Sequence, residues 1–416
     1  MRRKAGLFVA ISLLSGLGGG AMSLVAGIWV LDLTGSTSLA ALTGLCVYAP
    51  VLAGPWLGGL LDRVARLRLV VGVHLTLAAV LLSLLTVDGP DRTWLIFVVS
   101  CAYGVAYVLI DAGETALLPA ALPPGALGTV NGWRSSAQEG IKLVAPLAGA
   151  GLYAWQGGHA VVVLSAALPV LVAALYPALR LGRIPPAAPG GSRPGLRAGL
   201  TALFGHSTTR RTVVLAGVSI AMSGFTTAAT YAMVTSELDL PTTFLGVLLS
   251  AQGAGSVAAG LLVGRLVDRY GAVVVGVAGT TLFAVASLVR CLPWWPGAVA
   301  ASVLAGVALP GTLVAAVTAV QRHAPAAMLG RVAATANTAM FGPLVLAIPL
   351  GSAAVHLGAR PPLVGAAAAC LAVAAAVAHG TGSWVPWRTR GRHRRSRSAA
   401  IRPPAPSPCR STAARP

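Results

Sequence analysis

Long runs of apolar residues dominate the chain, and charged positions concentrate in the short stretches between them. About 20 consecutive apolar residues are needed for a helix to cross a bilayer, and helices satisfy their own backbone hydrogen bonds there. Windows of this length predict an all-α polytopic membrane protein with twelve transmembrane helices. The predicted spans are residues 7–31, 39–61, 69–87, 94–118, 131–155, 159–179, 212–236, 243–266, 272–290, 296–320, 331–357 and 361–381.

The composition supports a membrane protein and argues against an enzyme. Hydrophobic residues make up 56% of the 416 residues, charged residues only 10%, and the mean hydropathy is +0.80, outside the range of soluble globular chains. The five cysteines form no C-x-x-C pair, so we expect neither disulfides nor a metal site. There is no G-x-x-x-x-G-K-[ST] loop for ATP and no catalytic triad pattern, so we expect no enzymatic activity and no bound cofactor.

The positive charges predict the orientation of the chain in the membrane. The net charge is +20, and most lysines and arginines fall in the N-terminus, the central loop, alternate connections and the tail. The opposite loops hold only Arg92, Arg290 and Arg360, and Arg134 and Lys142 fall within a span. The positive-inside rule therefore predicts cytoplasmic termini in a multi-pass protein of the cell membrane. We expect the basic, Pro-rich tail to be disordered beside anionic lipids, with no specific nucleic-acid partner.

The sequence repeats itself about halfway along, which predicts two six-helix halves. GGLLDRVARLR (58–68) and GRLVDRYG (264–271) both follow the second span of a half, and LGTV (127–130) and LGRV (329–332) both open the fifth. A Pro/Gly/Arg-rich segment lies between the halves. The predicted domains are an N-terminal half (1–181), a cytoplasmic linker (182–210), a C-terminal half (211–386) and a basic tail (387–416).

The two Asp-Arg segments resemble the loop signature G-x-x-x-D-R-x-G-R-[RK] of the major facilitator superfamily, whose members have parallel internal repeats. The first copy departs from the signature at Ala65 and Leu67, and the second has no arginines after its final glycine. The resemblance implies a cytoplasmic conformational latch, in which the aspartate faces a helix N-terminus and the arginine pairs with an acid on another helix. The matching positions are Gly58, Asp62, Arg63 and Arg66 in the first half and Gly264, Asp268, Arg269 and Gly271 in the second.

A finer resemblance is carried by WVLDLTGS (29–36) and by residues 111–132, DAGETALLPAALPPGALGTVNG. Both are similar to segments of the drug:proton antiporter type 3 exporters, which include macrolide and siderophore efflux proteins. The fifth-helix antiporter motif of such exporters, G-x-x-x-G-P-x-x-G-G, is degraded here to IKLVAPLAGA (141–150). The resemblance implies export driven by the proton gradient.

Four charged residues within the predicted spans are candidates for a proton or charge relay, because charges in the bilayer are costly. Glu139 and Lys142 lie three residues apart and can share a helix face, either as a titrating pair or as a static ion pair. Asp111 and Glu114 lie three apart in the fourth span. The alternative for these two is that one of them receives Arg63 or Arg66 in the latch. His74 is interpreted as a packed polar residue.

Several aromatic and amide side chains are candidates for a substrate cavity, because an amphipathic organic compound needs apolar surface and a few hydrogen-bonding groups. These candidates are Trp29, Tyr48, Tyr103, Tyr107, Tyr231 and Gln252. The sequence therefore predicts a monomeric secondary active transporter whose partners are the lipid bilayer and a small organic substrate. Uptake of a small metabolite by the same fold, and a sensor or scaffold without transport, remain the alternatives.

Overall fold

The structure is a computed structural model that describes residues 2–53, 66–122, 124–179, 201, 203–323 and 329–379. These residues form helices joined by short turns, and no strand occurs among them. Residues 2–379 belong to one compact unit. Most of the predicted linker and the whole basic tail lie outside the described residues. The all-helical prediction is confirmed for this part of the chain.

Thirteen α-helices are described, several of them extended by a turn of 3-10 or π-helix. The helices are α1 (Arg2–Thr34), α2 (Thr37–Tyr48), α3 (Arg66–Leu82), α4 (Thr93–Ala121), α5 (Pro124–Leu175), α6 (Ser207–Phe225), α7 (Thr227–Ala232), α8 (Phe244–Tyr270), α9 (Ala272–Val289), α10 (Trp295–His323), α11 (Leu329–Phe341), α12 (Leu344–Ala354) and α13 (Arg360–His379). The 3-10 turns are Ala49–Ala53, Ser83–Thr86, Pro90–Arg92, Tyr176–Leu179 and Val355–Leu357, and a π-helical turn covers Met233–Glu237.

Helix breaks fall where the backbone chemistry favours them. α5 is interrupted at Gly157, whose φ of 75° suits glycine, so it has a first arm before this residue and a second arm after it. This break lies between the predicted spans 131–155 and 159–179. The predicted span 331–357 is divided into α11 and α12, and Pro343 lies at the division because proline cannot donate the next helical hydrogen bond.

Nine helical stretches among the described residues are long and apolar enough to cross a membrane, and ten if the bent pair α6 and α7 counts as one span. The chain is thus a multi-pass membrane protein. Both arms of α5 contribute to a single stretch, Ala137–Leu179, and the end of the predicted second span, residues 54–61, lies outside the described part. The count of twelve therefore stays a prediction.

Small residues allow the same kind of parallel helix pair in each predicted half. In the first, Gly149 of α5 lies so close to Ala21 of α1 that an added Cβ would be 2.9 Å from its Cα. In the second, a Cβ on Gly351 of α12 would lie 1.9 Å from the carbonyl oxygen of Phe225 in α6. Such close approach is how membrane helices gain van der Waals contact without a hydrophobic driving force.

The hydrophobic clusters divide the molecule into two sides. We name the side where α1 begins and α13 ends the terminal side, and the other the opposite side. On the opposite side one cluster joins both predicted halves, including Trp29 and Val30 with Tyr231 and Leu245. On the terminal side, the cluster around Phe8 contains only residues of the first half. Among the described residues, apolar packing between the halves is therefore strongest away from the termini.

Candidate functional site

A buried charge network connects three helices of the first half. Glu114 of α4 accepts a short hydrogen bond from Nη2 of Arg134 on the first arm of α5, and both side chains are less than one-tenth exposed. The other carboxylate oxygen, Oε1, accepts a hydrogen bond of 2.7 Å from the hydroxyl of Tyr176. Arg134 Nε donates to Ser12 Oγ of α1 at 3.0 Å. Both carboxylate oxygens thus have partners, and Glu114 pairs with Arg134 among the described residues, which do not include Arg63.

His74 of α3 extends this network towards a fourth helix. Its ring centroid is 5.7 Å from that of Tyr176, and the residue is only 1% exposed. Neither ring nitrogen has a hydrogen-bond partner among the described residues. The sequence interpretation of His74 as a packed residue agrees with its burial, but its position beside Tyr176 was not predictable. A buried imidazole without hydrogen-bond partners lowers the free energy of unfolding, so His74 is included in the candidate site beside the buried network.

The Glu139–Lys142 pair differs from the buried network in its surroundings. Lys142 Nζ lies 2.6 Å from Glu139 Oε1, and the two side chains are 58% and 34% exposed. They belong to the same helix three residues apart, so the pair needs no tertiary contact to form. Glu139 Oε2 has no partner in the described part of the chain. This geometry is that of a local ion pair that is partly exposed.

Three candidate cavity residues lie together on α4 and α2. Tyr103, Tyr107 and Asp111 follow one another at intervals of four residues on one face of α4, and Glu114 continues that face. Tyr107 lies near Asp111 and near Tyr48 of α2. Tyr48 and Tyr107 are 44% and 55% exposed. The face therefore offers aromatic surface, hydroxyl groups and one carboxylate that has no ion-pair partner among the described residues.

Three other cavity candidates have different surroundings in this structure. Trp29 is 6% exposed and packs edge-on against His159. Tyr231 is 8% exposed, and its hydroxyl lies so close to Gly27 that an added Cβ on this glycine would be 2.2 Å from it. In this structure both aromatics pack between helices, and their place in a substrate cavity stays a prediction.

Gln252, the third, is half-buried, and its backbone packs against α10. A Cβ on Gly306 would lie 1.9 Å from the Gln252 carbonyl oxygen. The sequence could not distinguish these roles, because an aromatic or amide side chain within a span fits both.

The second copy of the latch forms an ion pair within one predicted half. Asp268, at the end of α8, accepts a hydrogen bond of 2.5 Å from Arg322 of α10. The guanidinium of Arg269 lies 5.3 Å from the ring centre of its neighbour Tyr270, and Gly271 joins α8 to α9 with a φ of 89°. Asp268 therefore has an arginine partner on another helix, and its expected approach to a helix N-terminus stays a prediction.

The remaining latch positions are only partly described. Gly264 lies on α8, where an added Cβ would meet nothing within 4 Å. Gly58, Asp62 and Arg63 of the first copy lie outside the described residues, and Arg66 is the first residue of α3.

Direct contacts close the opposite side between the predicted halves. Ser38 Oγ of α2 donates to the Ser352 carbonyl of α12 at 2.6 Å. α5 and α8 also approach closely, because a Cβ on Gly246 would lie 2.5 Å from that of Ala150. Further towards the middle, a Cβ on Gly253 would lie 2.6 Å from the Lys142 carbonyl oxygen.

The comparisons with known proteins agree with this architecture. The family model of the Major Facilitator Superfamily matches residues 212–412, most of the second predicted half and the tail. A search of the curated proteins finds no match to this chain.

The solved structures resemble the chain along nearly all of its length. A mutant of the nucleoside transporter NupG is 16% identical, with a TM-score of 0.71, over 90% of this chain and 99% of that one. A bacterial homologue of the iron transporter ferroportin, inward-facing, is 17% identical, with a TM-score of 0.66, over 92% and 100% of the two chains. A POT family transporter in complex with a thioalcohol-conjugated peptide is 10% identical, with a TM-score of 0.73, over 91% and 96%. At these identities the likeness shows the fold alone.

Proposed function

We propose that this chain is a member of the major facilitator superfamily that exports hydrophobic or amphipathic organic compounds in exchange for protons. It resembles the drug:proton antiporter type 3 group. The proposal includes twelve transmembrane helices in two halves, cytoplasmic termini, a monomer in the cell membrane and a basic tail beside anionic lipids. It combines the transporter fold with the charge distribution and the motif resemblances of the sequence.

Alternating access is supported by the uneven contact between the two halves. Ser38–Ser352 and the Gly246–Ala150 approach lie on the opposite side, whereas the terminal-side cluster around Phe8 draws on one half only. With cytoplasmic termini, this arrangement corresponds to a state closed to the outside. A ligand that favours the state open to the outside would have to separate these contacts, so the proposed motion takes place on the opposite side.

The observation that carries proton coupling is the buried Glu114–Arg134 pair. A proton on Glu114 would neutralise the carboxylate and leave the Arg134 guanidinium buried without its counter-charge. The two protonation states therefore favour different helix arrangements around α1, α4 and α5, which is what coupling requires. The Glu139–Lys142 pair supports such a role less well, because it is local and more exposed.

The class of substrate is inferred from the exposed face of α4 and α2. Tyr48 and Tyr107 offer aromatic surface, and Asp111 offers a carboxylate beside them. Such a surface suits an organic molecule with an apolar body and a few polar groups. The nucleoside, metal and peptide named for the similar structures belong to those proteins, and they enter the test only as additional compounds.

Cellular accumulation tests the proposal. Lipophilic antibiotics, dyes and siderophores are measured in cells with and without the protein, and a protonophore is added midway. We expect lower accumulation with the protein and a rise after the protonophore. Higher accumulation would indicate uptake and contradict export, and no difference for any compound would favour a sensor or scaffold.

Variants assign the proton site in the same assay. Glu114→Gln should abolish the protonophore-sensitive part of export at equal expression. Glu237→Gln, which breaks the exposed pair between Glu237 and Arg360 near the opposite-side end of α7, should retain it. Glu139→Gln decides between the two carboxylates, because loss of export in this variant alone would transfer the proton role from Glu114 to Glu139.

A further inference from the structure

A groove of about 640 Å³ lies between α3 and α4, away from the buried network. Its α3 wall includes Gly72, Val73 and Val80, and its α4 wall includes Ala102 and Val105. Apart from Arg68 and Thr76, every residue lining it is apolar or glycine. An apolar groove of this size in a membrane-spanning region is expected to be filled, because an empty one would forfeit van der Waals contacts.

Small residues create the groove. Gly72 is exposed, and a Cβ added to it would meet nothing within 4 Å. Ala102 and Ala106 stand across from it on α4, where larger side chains would reduce the space. Bulkier residues, including Val80 and Leu109, line the groove towards its ends. The groove is therefore open to the surroundings of the protein and can be filled by a single side-chain change.

Charge and length identify one occupant. Arg68 lies at the terminal-side end of the groove, is exposed, and has no ion-pair partner among the described residues. Val80 lies twelve residues further along α3, so the α3 wall is roughly 18 Å long at 1.5 Å per residue. One leaflet of the hydrocarbon core is about 15 Å thick, half of the bilayer value. The groove thus runs from a cation near the headgroups to about the bilayer midplane.

We propose that this groove is a binding site for an anionic glycerophospholipid of the terminal-side leaflet. One acyl chain lies along Gly72 and Ala106, and the phosphate pairs with Arg68. Arginine suits this role because its guanidinium binds phosphate oxygens through paired donors, and its stem packs along apolar surface. The site does not depend on the proposed export function, since it uses none of the residues assigned to transport.

Native mass spectrometry of the full-length protein in mild detergent tests this site. Delipidated protein is titrated with a phosphatidylglycerol and a phosphatidylcholine that carry the same acyl chains. One arginine near the surface favours the anionic lipid by about fivefold. We therefore expect this preference in the unmodified protein, and we expect Arg68→Gln to remove it. Arg210→Gln is the matched control on α6, because Arg210 is also exposed near the terminal side.

Gly72→Leu tests the acyl-chain part of the site. Leucine has space at this position and a better helix propensity than glycine, so the variant is expected to fold. It should reduce occupancy by both lipids several-fold, whereas Gly365→Leu on α13, also with no neighbour within 4 Å, should not. Equal lipid occupancy in Gly72→Leu and Gly365→Leu would overturn the proposal. Displacement of the lipid by an exported compound, or a dimer that Gly72→Leu abolishes, would assign the groove to another occupant and overturn it as well.

Discussion

Removing the charge of Glu114 provides the sharpest test of the buried network. In Glu114→Gln the side chain keeps its size and can still accept a hydrogen bond from the Tyr176 hydroxyl, but Arg134 loses its counter-charge. Breaking a buried ion pair by removing one partner costs about 3–5 kcal/mol, because the remaining charge stays desolvated. The pair is less than one-tenth exposed, so solvent offers little compensation.

The matched comparison is Glu139→Gln, which breaks an ion pair within one helix at a more exposed position. Pairs three residues apart on a helix surface contribute about 0.2–0.5 kcal/mol. The two glutamate variants thus differ about tenfold in their expected effect on the free energy of unfolding. Combining Glu114→Gln with Arg134→Met removes both charges, and the double variant should recover about 2–3 kcal/mol relative to the sum of the single ones.

The free energy of unfolding is measured by titrating the protein from a mild detergent into mixed micelles containing dodecyl sulfate. The intrinsic fluorescence of the nine tryptophans reports the transition. If Glu114→Gln and Glu139→Gln cost the same, or if Glu114→Gln and Arg134→Met are additive, the account of a coupled buried pair would be wrong.

Three further experiments test the helix contacts and the latch. Gly253→Ala should lower the midpoint of thermal unfolding, because its Cβ would meet a backbone carbonyl at 2.6 Å. Gly260→Ala on the same helix, with no neighbour within 4 Å, should leave the midpoint unchanged or raise it, and similar losses in both variants would contradict the contact. Asp268→Asn should change the free energy of unfolding by less than about 1 kcal/mol, because its ion pair with Arg322 is exposed. The same variant should slow transport, and an unchanged transport rate would argue against a latch. In a cysteine-free background, a disulfide between Ser38→Cys and Ser352→Cys should stop transport until it is reduced, and continued transport after oxidation would contradict a moving opposite side.

The helices follow from the sequence because burial in lipid imposes long apolar runs. The predicted span 94–118, for example, lies within α4 (Thr93–Ala121), and Gly157 breaks α5 between two predicted spans. Helix ends were less predictable. α10 continues to His323, beyond the predicted end at residue 320, because its last turn carries polar side chains that a hydropathy window excludes.

Charge pairing was predictable only where it is local. Glu139 and Lys142 share a helix, so their spacing alone brings them together. The partner of Glu114 depends on how α4 crosses the first arm of α5, and no spacing rule connects it to Arg134 or Tyr176. The burial of Arg290 at the end of α9 was likewise not predictable, because its position in the sequence assigns it to an outer loop.

Proton-driven transport in purified proteoliposomes tests the central claim most directly. A compound found in the cellular assay is added outside vesicles with an acidic lumen, and its accumulation inside is followed. The account predicts accumulation above the external concentration that a protonophore and Glu114→Gln both abolish, while Glu237→Gln retains it. Accumulation that is independent of the pH difference, or that requires acid on the same side as the compound, would contradict proton exchange.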